Sequence, residues 1–317
     1  MQMYNKILTV CLVMVSFIQA CKDKDGFTTT ESGLKYRFLE KSEGAVAPQD
    51  GEIITLNLKM VNTNDSVLVD AQEMALEKND SLWSLTGGGI EEAFSLLSQG
   101  DSMEVKVNAA DLFQRTWRMP LPPNMSAEEE ITCNIKLVDV YTIASYQRME
   151  AMKRVPQVEA IRERTLADNQ EQMETDGAAI DAYLTKNNIE AETTQNGLRY
   201  VIMEEGNGES PQVGDQVKVN YTGNVLEGEY FDTSVEDKAV ALGLHDPRRP
   251  YQPFEFFLGT GGVIHGWDEG IGLLKKGSIA RFYIPSPMGY GNQQRSEVIV
   301  PNSILEFEVE LIDIVSN

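Results

Sequence analysis

A twelve-residue segment occurs twice in this chain with small changes. TTESGLKYRFLE occupies residues 29–40, and TTQNGLRYVIME occupies residues 193–204. A chain of 317 residues is long enough for two domains of ordinary size, each with its own hydrophobic core. The repeat therefore predicts that one fold is built twice. It also raises the question of whether both copies serve the same purpose.

The similarity between the two halves continues downstream as pairs of segments in which apolar residues alternate with polar ones. Such alternation is typical of β-strands that bury one face. The pairs, first half before second, are DGEIITLNLKM (50–60) with VGDQVKVNYTG (213–223), GDSMEVKVN (100–108) with GSIARFYIP (277–285), and ITCNIKLVDV (131–140) with LEFEVELIDI (305–314). We expect these segments to be strands at matching positions in two antiparallel sheets.

One short helix is expected in each half, directly before the middle strand. The segments IEEAFSLLSQG (90–100) and WDEGIGLLKKG (267–277) are largely apolar and end in Gly100 and Gly277. Glycine is common just after the last residue of a helix. The sequence therefore predicts the α+β class, with two domains that each fold an antiparallel sheet around a short helix.

The stretch between the halves, residues 144–191, lacks strand alternation and is rich in helix-forming residues. Pro156 should break or kink the helix after Val155, and the segment that follows Gly177 suggests another short helix. A partial apolar stripe is formed by Val158, Ile161, Leu166 and Met173. We interpret residues 144–191 as a helical linker packed lightly on one domain. A homodimer seam and a client-binding helix are the alternatives.

The first twenty residues, 1–20, have the form of a signal peptide. The apolar run ILTVCLVMVSFIQA follows a short segment with one lysine and ends at Ala20, next to Cys21. The run is too short to span a bilayer comfortably and has the length of a signal-peptide core. The junction resembles a bacterial lipobox, which implies cleavage before Cys21, lipidation there and a polar tether over residues 21–26. An ordinary secretory peptide with an incidental cysteine is the alternative.

On the lipobox interpretation, the mature protein is held by lipid on a membrane of the bacterial cell envelope, at the periplasmic face or the cell surface. Cys133 is then the one cysteine left without a role, so no internal disulfide is expected. The net charge of −22 argues against a nucleic acid partner, because little could neutralise phosphates. His245 and His265 are not at metal-ligand spacing, and we expect neither a metal nor a cofactor.

Four segments of the second half resemble, in this order, the FKBP-type peptidyl-prolyl cis/trans isomerases. They are VKVNYTGNVLEGEYFDTS, PFEFFLGTGGVIHGWDEGI, KKGSIARFYIPSPMGYG and VPNSILEFEVELIDI. The similarity covers residues 192–317, and four motifs in order make it specific. It implies a curved antiparallel sheet around a short helix, with a pocket for proline. That pocket would be lined by Tyr221, Phe231, Asp232, Phe254, Val263, Ile264, Trp267, Tyr290, Val298 and Phe307.

The resemblance also implies what several of these residues do. Trp267 would form the floor of the pocket. The backbone N–H of Ile264 and the hydroxyl of Tyr290 would hold the peptide by hydrogen bonds. Asp232 would be tied to Tyr221 and would orient the wall rather than act as a base. Taken without the resemblance, aromatic residues on strands are more often core residues than ligand contacts.

Two segments depart from the usual pattern of the family. SPMGYG contains Pro287 and Gly289, which could loosen the loop before the tyrosine of the pocket. The insertion VEDKAVALGLHDPRRPYQ (235–252) is longer than compact members have. Either it covers the rim of the pocket, with Arg248 or Arg249 near the substrate, or it is a solvated loop.

The first half keeps the apolar strand pattern but loses the aromatic residues. Aligned through the repeat, Leu58, Val69, Asp70, Ile90, Phe113 and Cys133 stand where the second half has Tyr221, Phe231, Asp232, Trp267, Tyr290 and Phe307. We therefore interpret residues 27–143 as a degenerate FKBP-like domain and residues 192–317 as the isomerase domain.

Together these features predict a lipid-anchored prolyl isomerase whose partners are proline-containing segments of exported client proteins. The aromatic pocket of the second domain is also expected to accept a macrolide inhibitor. The alternative is a non-catalytic peptide-binding chaperone or an envelope assembly factor. The complete aromatic set of the second domain favours the enzyme.

Overall fold

A computed structural model of the chain describes residues 23–79 and 89–315. The predicted signal peptide and the predicted lipidation site, Cys21, lie outside the described residues. The chain forms two compact units, Met1–Ile143 and Ala144–Asn317. Within the described ranges, no helix combines the length and the apolar character needed to cross a membrane.

The first unit contains a six-stranded antiparallel sheet. Its strands are β1 (Thr28–Thr29), β2 (Lys35–Glu40), β3 (Ile53–Val61), β4 (Val67–Glu77), β5 (Ser102–Asn108) and β6 (Glu130–Tyr141), in the spatial order β1-β2-β5-β6-β3-β4. Helix α1 (Ile90–Leu96) precedes β5, and a π-helical turn (Asp111–Thr116) follows it.

The second unit contains three helices followed by a seven-stranded antiparallel sheet. The helices are α2 (Ile143–Met152), α3 (Val155–Asp168) and α4 (Gln170–Lys186). The strands are β7 (Glu192–Thr193), β8 (Arg199–Glu204), β9 (Gln216–Val225), β10 (Tyr230–Thr233), β11 (Phe254–Phe257), β12 (Ile279–Ile284) and β13 (Leu305–Val315). Helices α5 (Glu236–Leu242) and α6 (His265–Gly272) and a 3₁₀ turn (Ser286–Met288) complete it.

The two sheets share one topology. The second has the order β10-β9-β13-β12-β8-β7, with β11 also paired to β9. Read from its other edge, this is the order of the first sheet. The register agrees as well, since Leu58 pairs with Ile135 just as Tyr221 pairs with Val309. The predicted strands, the short helix of each half and the duplication of the fold are confirmed.

The repeated segment encodes the turn that starts each sheet. In the first copy, Thr30 accepts a hydrogen bond on Oγ1 from the N–H of Leu34, at 3.1 Å. In the second copy, Thr194 and Leu198 make the same bond at 3.2 Å. The turn requires a residue with a left-handed backbone conformation, which glycine adopts most readily. Gly33 (φ 99°) and Gly197 (φ 94°) are these residues in the two copies. Each leucine is then buried in its own core.

The helical stretch before the second sheet is broken near Pro156, as the sequence predicts. Helix α2 ends at Met152, and α3 begins at Val155 with Pro156 in its first turn, where a missing N–H costs no hydrogen bond. Gly177 does not separate two helices, as the sequence suggested, but lies inside α4. A Cβ atom at Gly177 would lie 2.9 Å from the guanidinium of Arg199, so the glycine allows this close packing.

Helices α3 and α4 contribute residues to two apolar clusters of the second unit. Leu166 and Met173 contact the main core of the unit. Ile180 and Leu184 form a separate cluster with the fully buried Tyr283. Two residues of the apolar stripe, Leu166 and Met173, are thus engaged within their own unit, and the stretch is packed more closely than a light spacer would be.

Candidate active site

Three neighbouring strands of the second sheet supply the aromatic rings at the centre of the site. Tyr221 lies on β9, Phe231 on β10 and Phe307 on β13. The pairing of β10 with β9 skips a residue between Tyr230 and Asp232, which places Phe231 at a bulge. Bulges redirect side chains, and the Phe231 ring meets the Phe307 ring edge to face, with centroids 5.6 Å apart.

A glycine on β9 makes room for two of these rings. Gly223 pairs with Phe307 on one side and with Asp232 on the other. A Cβ atom at this position would lie 2.5 Å from the Phe307 ring and 2.8 Å from the Phe231 ring. Real side chains do not approach so closely, so any residue other than glycine would push the rings apart. Gly223 was not among the residues predicted to form the site, although it is the last residue of the NYTG motif.

Helix α6 brings Trp267 against the same rings. The indole centroid lies 5.0 Å from Tyr221 and 5.2 Å from Phe307, edge to face in both cases. Phe254 on β11 lies 6.1 Å from Trp267 and closes the other side. Trp267 is 6% exposed whereas Phe254 is 42% exposed. Trp267 therefore lies at the bottom of the site and Phe254 at its edge.

These side chains surround a cavity of about 670 Å³. Of the residues predicted to line it, the cavity contains Tyr221, Phe231, Asp232, Phe254, Val263, Ile264, Trp267, Tyr290 and Phe307. Val298 does not line it. Val298 is half-buried, and its neighbour Ile299 packs into the core instead.

The polar edge of the cavity is a network around Asp232. The Tyr221 hydroxyl donates to Oδ2 of Asp232 at 2.6 Å. Arg249 donates to the other carboxylate oxygen and, at 3.2 Å, to the Tyr221 hydroxyl oxygen. Burial, together with the hydrogen bond from Tyr221 to Asp232, raises the pKa of Tyr221 to about 12, against the opposing effect of Arg249. Both carboxylate oxygens of Asp232 therefore accept hydrogen bonds, and the carboxylate holds the side chains of Tyr221 and Arg249 in position.

The insertion of residues 235–252 thus reaches the site through one of its two arginines. Arg249 binds Asp232, and this partner raises the pKa of the Arg249 guanidinium. Arg248 instead pairs with Asp246 on the surface, and its side chain is 88% exposed.

Two hydrogen-bond donors at the cavity remain available for a ligand. Ile264 and Tyr290 both line it. In residues 23–79 and 89–315, neither the Ile264 N–H nor the Tyr290 hydroxyl donates a hydrogen bond to another residue. The Tyr290 ring lies under the guanidinium of Arg295, 4.9 Å from Cζ to the ring centroid.

The SPMGYG segment is not loosened by its departure from the family pattern. Ser286, Pro287 and Met288 form the 3₁₀ turn, and all three are buried. The first N–H of this turn is bound by Asp176 of α4. Pro287 and Gly289 both line the cavity.

The arrangement is suited to binding and desolvation rather than to bond cleavage. The wall is aromatic and aliphatic, and its carboxylate is engaged by a tyrosine and an arginine. Among the described residues, no group of three or more His, Cys, Asp or Glu side chains is placed to hold a metal ion.

Comparison with known proteins places this site in a family. The sequence model of the FKBP-type peptidyl-prolyl cis-trans isomerases matches residues 207–312. "FK506-binding protein 1" of Dictyostelium discoideum is 40% identical over 116 residues, which cover 37% of this chain and 96% of that protein. The chain belongs to the FKBP-type peptidyl-prolyl cis-trans isomerase family.

Relatives of other lengths are also similar to part of the chain. The "Probable FKBP-type peptidyl-prolyl cis-trans isomerase" of Haemophilus influenzae is 42% identical over 125 residues, or 39% of this chain and 46% of that protein. The chain thus spans about half the length of that relative. The crystal structure of FkpA from Escherichia coli, at 34% identity, covers 50% of this chain and 70% of that one, with a TM-score of 0.34.

One wall of the FKBP-type cavity comes from outside the matched segment. Val158, Ile161, Arg162 and Thr165 of helix α3 line it. Two of these residues, Val158 and Ile161, belong to the predicted apolar stripe, and none of the four was predicted to line the site. The stripe alone does not reveal which surface the helix packs against.

The first unit has leucine and cysteine at the positions of two central rings of the FKBP-type cavity. The strand pairing makes Leu58, Met60 and Cys133 equivalent to Tyr221, Gly223 and Phe307. Met60 is 2% exposed, and its side chain is buried at the position where the second unit has Gly223 and therefore no side chain. Burial raises the pKa of the Cys133 thiol to about 12, so this cysteine stays protonated in the core.

The pairing of β4 with β3 corrects the predicted equivalence of Asp70 with Asp232. Asp70 pairs with Lys59, at the ladder position where the second unit pairs Thr233 with Thr222. By this register, Leu68, Val69 and Asp70 occupy the places of Phe231, Asp232 and Thr233. The repeat misaligned the strand by one residue, which turns each side chain to the other face. The first unit therefore has a valine at the position of Asp232, and Asp70 is exposed.

Proposed function

We propose that this protein isomerises prolyl peptide bonds, and that turnover takes place in the aromatic cavity of its second domain. One observation carries the proposal. The rings of Tyr221, Trp267, Phe307 and Phe231 are in continuous edge contact around a cavity that is also lined by Ile264, whose N–H donates no hydrogen bond within residues 23–79 and 89–315. An apolar cavity with a few convergent polar groups is the usual form of a binding site.

Catalysis of this rotation requires an apolar cavity of suitable shape that excludes water, and it requires no nucleophile. Rotation about an X–Pro bond interrupts amide resonance, at a barrier of roughly 18–20 kcal/mol, and takes tens to hundreds of seconds unaided. The twisted amide is less polarised than the planar one, so an apolar cavity disfavours the planar ground state more than the transition state. Trp267 and Phe307 would enclose the proline ring. The Ile264 N–H and the Tyr290 hydroxyl would hold the peptide on either side of the turning bond.

The test is a protease-coupled isomerisation assay on the protein without its signal peptide, using a short peptide with one proline. We expect Trp267→Leu to lower kcat/KM at least about tenfold, since it removes ring contacts worth roughly 1 kcal/mol or more each. Trp117→Leu is the matched control, because Trp117 packs in the core of the first domain. Full activity in folded Trp267→Leu protein would refute the site. Binding of the peptide without turnover would favour the chaperone.

The same cavity is proposed to bind a macrolide of the FK506 class. The support is its apolar wall and its volume of about 670 Å³, which lies within the range of pockets for drug-sized ligands. A macrolide should inhibit the wild-type protein and lose affinity for Trp267→Leu.

We further propose that the protein acts on exported clients from a lipid anchor at Cys21. The support is in the sequence, where the apolar run ends at IQAC and a polar tether follows. A lipid-modified cysteine with more than one acyl chain holds a protein stably on a membrane. Cys21→Ala should move the protein from the membrane fraction to the soluble fraction of its host. Unchanged membrane association of the alanine variant would refute lipidation.

A further inference from the structure

Helix α3 forms one wall of the aromatic cavity, although it precedes the family segment of residues 207–312. The cavity-lining residues of this helix are Val158, Ile161, Arg162 and Thr165. Ile161, Arg162 and Thr165 follow Val158 by three, four and seven positions, which places all four residues on one helical face. The cavity thus has a wall that the aromatic motifs do not encode.

Charge and close packing hold this wall in place. Arg162 of α3 forms an ion pair with Asp268 of α6, with side chains 11% and 1% exposed. Val158 lies so close to Gly261 that a Cβ atom on the glycine would be 2.8 Å from the valine Cγ2. Leu166, one turn further, packs on the core. Helix α3 is therefore a built-in part of the cavity.

The chemistry that this wall offers to a ligand is aliphatic. The Arg162 guanidinium is engaged by Asp268 and Glu159. The Thr165 hydroxyl donates to the Ile161 carbonyl at 2.8 Å. Val158 and Ile161 are left to face a ligand, and Ile161 is 55% exposed. Burying such a side chain against an apolar group of a ligand is favourable.

We propose that Val158 and Ile161 form an apolar subsite for a large apolar side chain on a residue that flanks the substrate proline. This proposal rests on the proposed function, because the occupant is the same peptide whose proline enters the aromatic cavity. Two observations select that occupant. The helix residues line the same cavity as Trp267 and Tyr290, and its volume of about 670 Å³ exceeds what one proline ring can fill.

The test uses a series of proline peptides with a serine background, in which leucine occupies one position at a time on either side of the proline. The protein is compared with an Ile161→Ser, Val158→Thr double variant. Threonine is close to valine in shape, and Ile161 is largely exposed, so the fold should be kept. Val240→Ser is the matched control, because Val240 is 61% exposed on helix α5 and does not line the cavity.

We expect wild-type protein to prefer leucine at one flanking position. In the double variant, the ratio of kcat/KM on that leucine peptide to kcat/KM on the all-serine peptide should fall roughly three- to tenfold. The Val240 variant should match the wild type throughout. Equal leucine preference in wild type and double variant, or none in either, would overturn the subsite.

Calorimetric binding of the same peptides separates this outcome from a failure of the proposed function. If the wild type binds but turns over no peptide, the isomerase proposal fails. The subsite still stands if leucine tightens binding to the wild type but not to the double variant, and falls if both bind the leucine peptides alike.

Discussion

The carboxylate of Asp176, on helix α4, accepts a hydrogen bond at 2.7 Å from the backbone N–H of Ser286, 110 positions further along the chain. Asp176 is 3% exposed. Ser286 opens the 3₁₀ turn that leads to Tyr290, so the bond ties a helix outside the family motifs to a loop that carries a pocket residue. Gln172 donates to the other oxygen of Asp176 at 2.7 Å and completes the contact.

Replacement of Asp176 by alanine should therefore loosen the loop before Tyr290. An N–H left buried without a partner costs about 1–3 kcal/mol, and we expect a loss of that size in urea unfolding, together with a higher KM. Glu174→Ala, which removes an exposed carboxylate of the same helix, should stay within about 0.5 kcal/mol of the wild type. Equal behaviour of the two variants would mean that the Asp176 contact does not hold the loop.

The ion pair between Arg162 and Asp268 predicts a loss of stability that depends on pH. Burial raises the pKa of Asp268, while Arg162 and the N–H groups of Gly259 and Gly261 lower it. In Arg162→Met, the pKa should rise further, and the unpaired carboxylate destabilises the fold only while it is ionised. We expect a deficit of about 3 kcal/mol at neutral pH, which shrinks as the pH falls through the raised pKa.

Urea unfolding at pH 5 and pH 8 measures this effect. Arg164→Met is the matched control, because Arg164 pairs with Asp168 on the surface, with side chains 83% and 63% exposed. The control should lose less than about 1 kcal/mol at either pH. A deficit of Arg162→Met that stays constant between the two pH values would contradict the assignment to Asp268.

The raised pKa of Tyr221 predicts where its hydrogen bond stops contributing to stability. The unfolded tyrosine titrates near 10 and the folded one at about 12. Since the folded pKa is the higher, the contribution is fully present below about pH 10 and is lost as the pH rises towards 12. Tyr221→Phe should cost about 1–3 kcal/mol at pH 7.

Unfolding of wild type and Tyr221→Phe at pH 7, pH 9 and pH 10.5 tests this prediction. The difference between them should be equal at the two lower values and smaller at the highest. A difference that already shrinks between pH 7 and pH 9 would place the pKa of Tyr221 well below 12. Isomerase activity of the wild type should show no step from Tyr221 over the same lower range.

The sequence predicted those parts of the structure that depend on local pattern. Alternating apolar residues located the strands because each strand buries one face. The resemblance of the aromatic motifs to the family located Tyr221 and Phe307, which lie on strands, and Trp267, which lies on helix α6. Val298 was placed in the cavity by its motif alone, and no local pattern distinguishes it from Ile299, which enters the core.

The parts that the sequence did not predict depend on contacts between distant segments. Helix α3 carries Val158 and Ile161 in a weak stripe, and nothing in that stripe identifies the cavity as its neighbour. The partner of Arg162 lies 106 positions away. The misalignment of Asp70 has a different cause. A one-residue offset in a strand leaves the sequence similarity almost unchanged but reverses the face of every side chain.

Leu58 and Tyr221 stand at equivalent ladder positions in the two domains. Replacing each of them in the full chain tests whether turnover takes place in the second domain alone. Leu58 is 4% exposed in the first core, so Leu58→Ala should cost about 2–5 kcal/mol in the unfolding of that domain. It should leave kcat/KM unchanged at temperatures where both domains are folded. Tyr221→Ala should lower kcat/KM, because it removes the ring beside Trp267 and the donor to Asp232.

Circular dichroism during thermal unfolding locates the effect of each variant, and the protease-coupled assay measures turnover in the same samples. We expect one variant to change stability alone and the other to change activity. The physical reason is that the first domain has the buried residues Met60 and Cys133 at the positions where the second domain has Gly223 and Phe307 beside its cavity. A fall in kcat/KM for folded Leu58→Ala protein would show that the first domain takes part in turnover and that the duplication kept more than the fold.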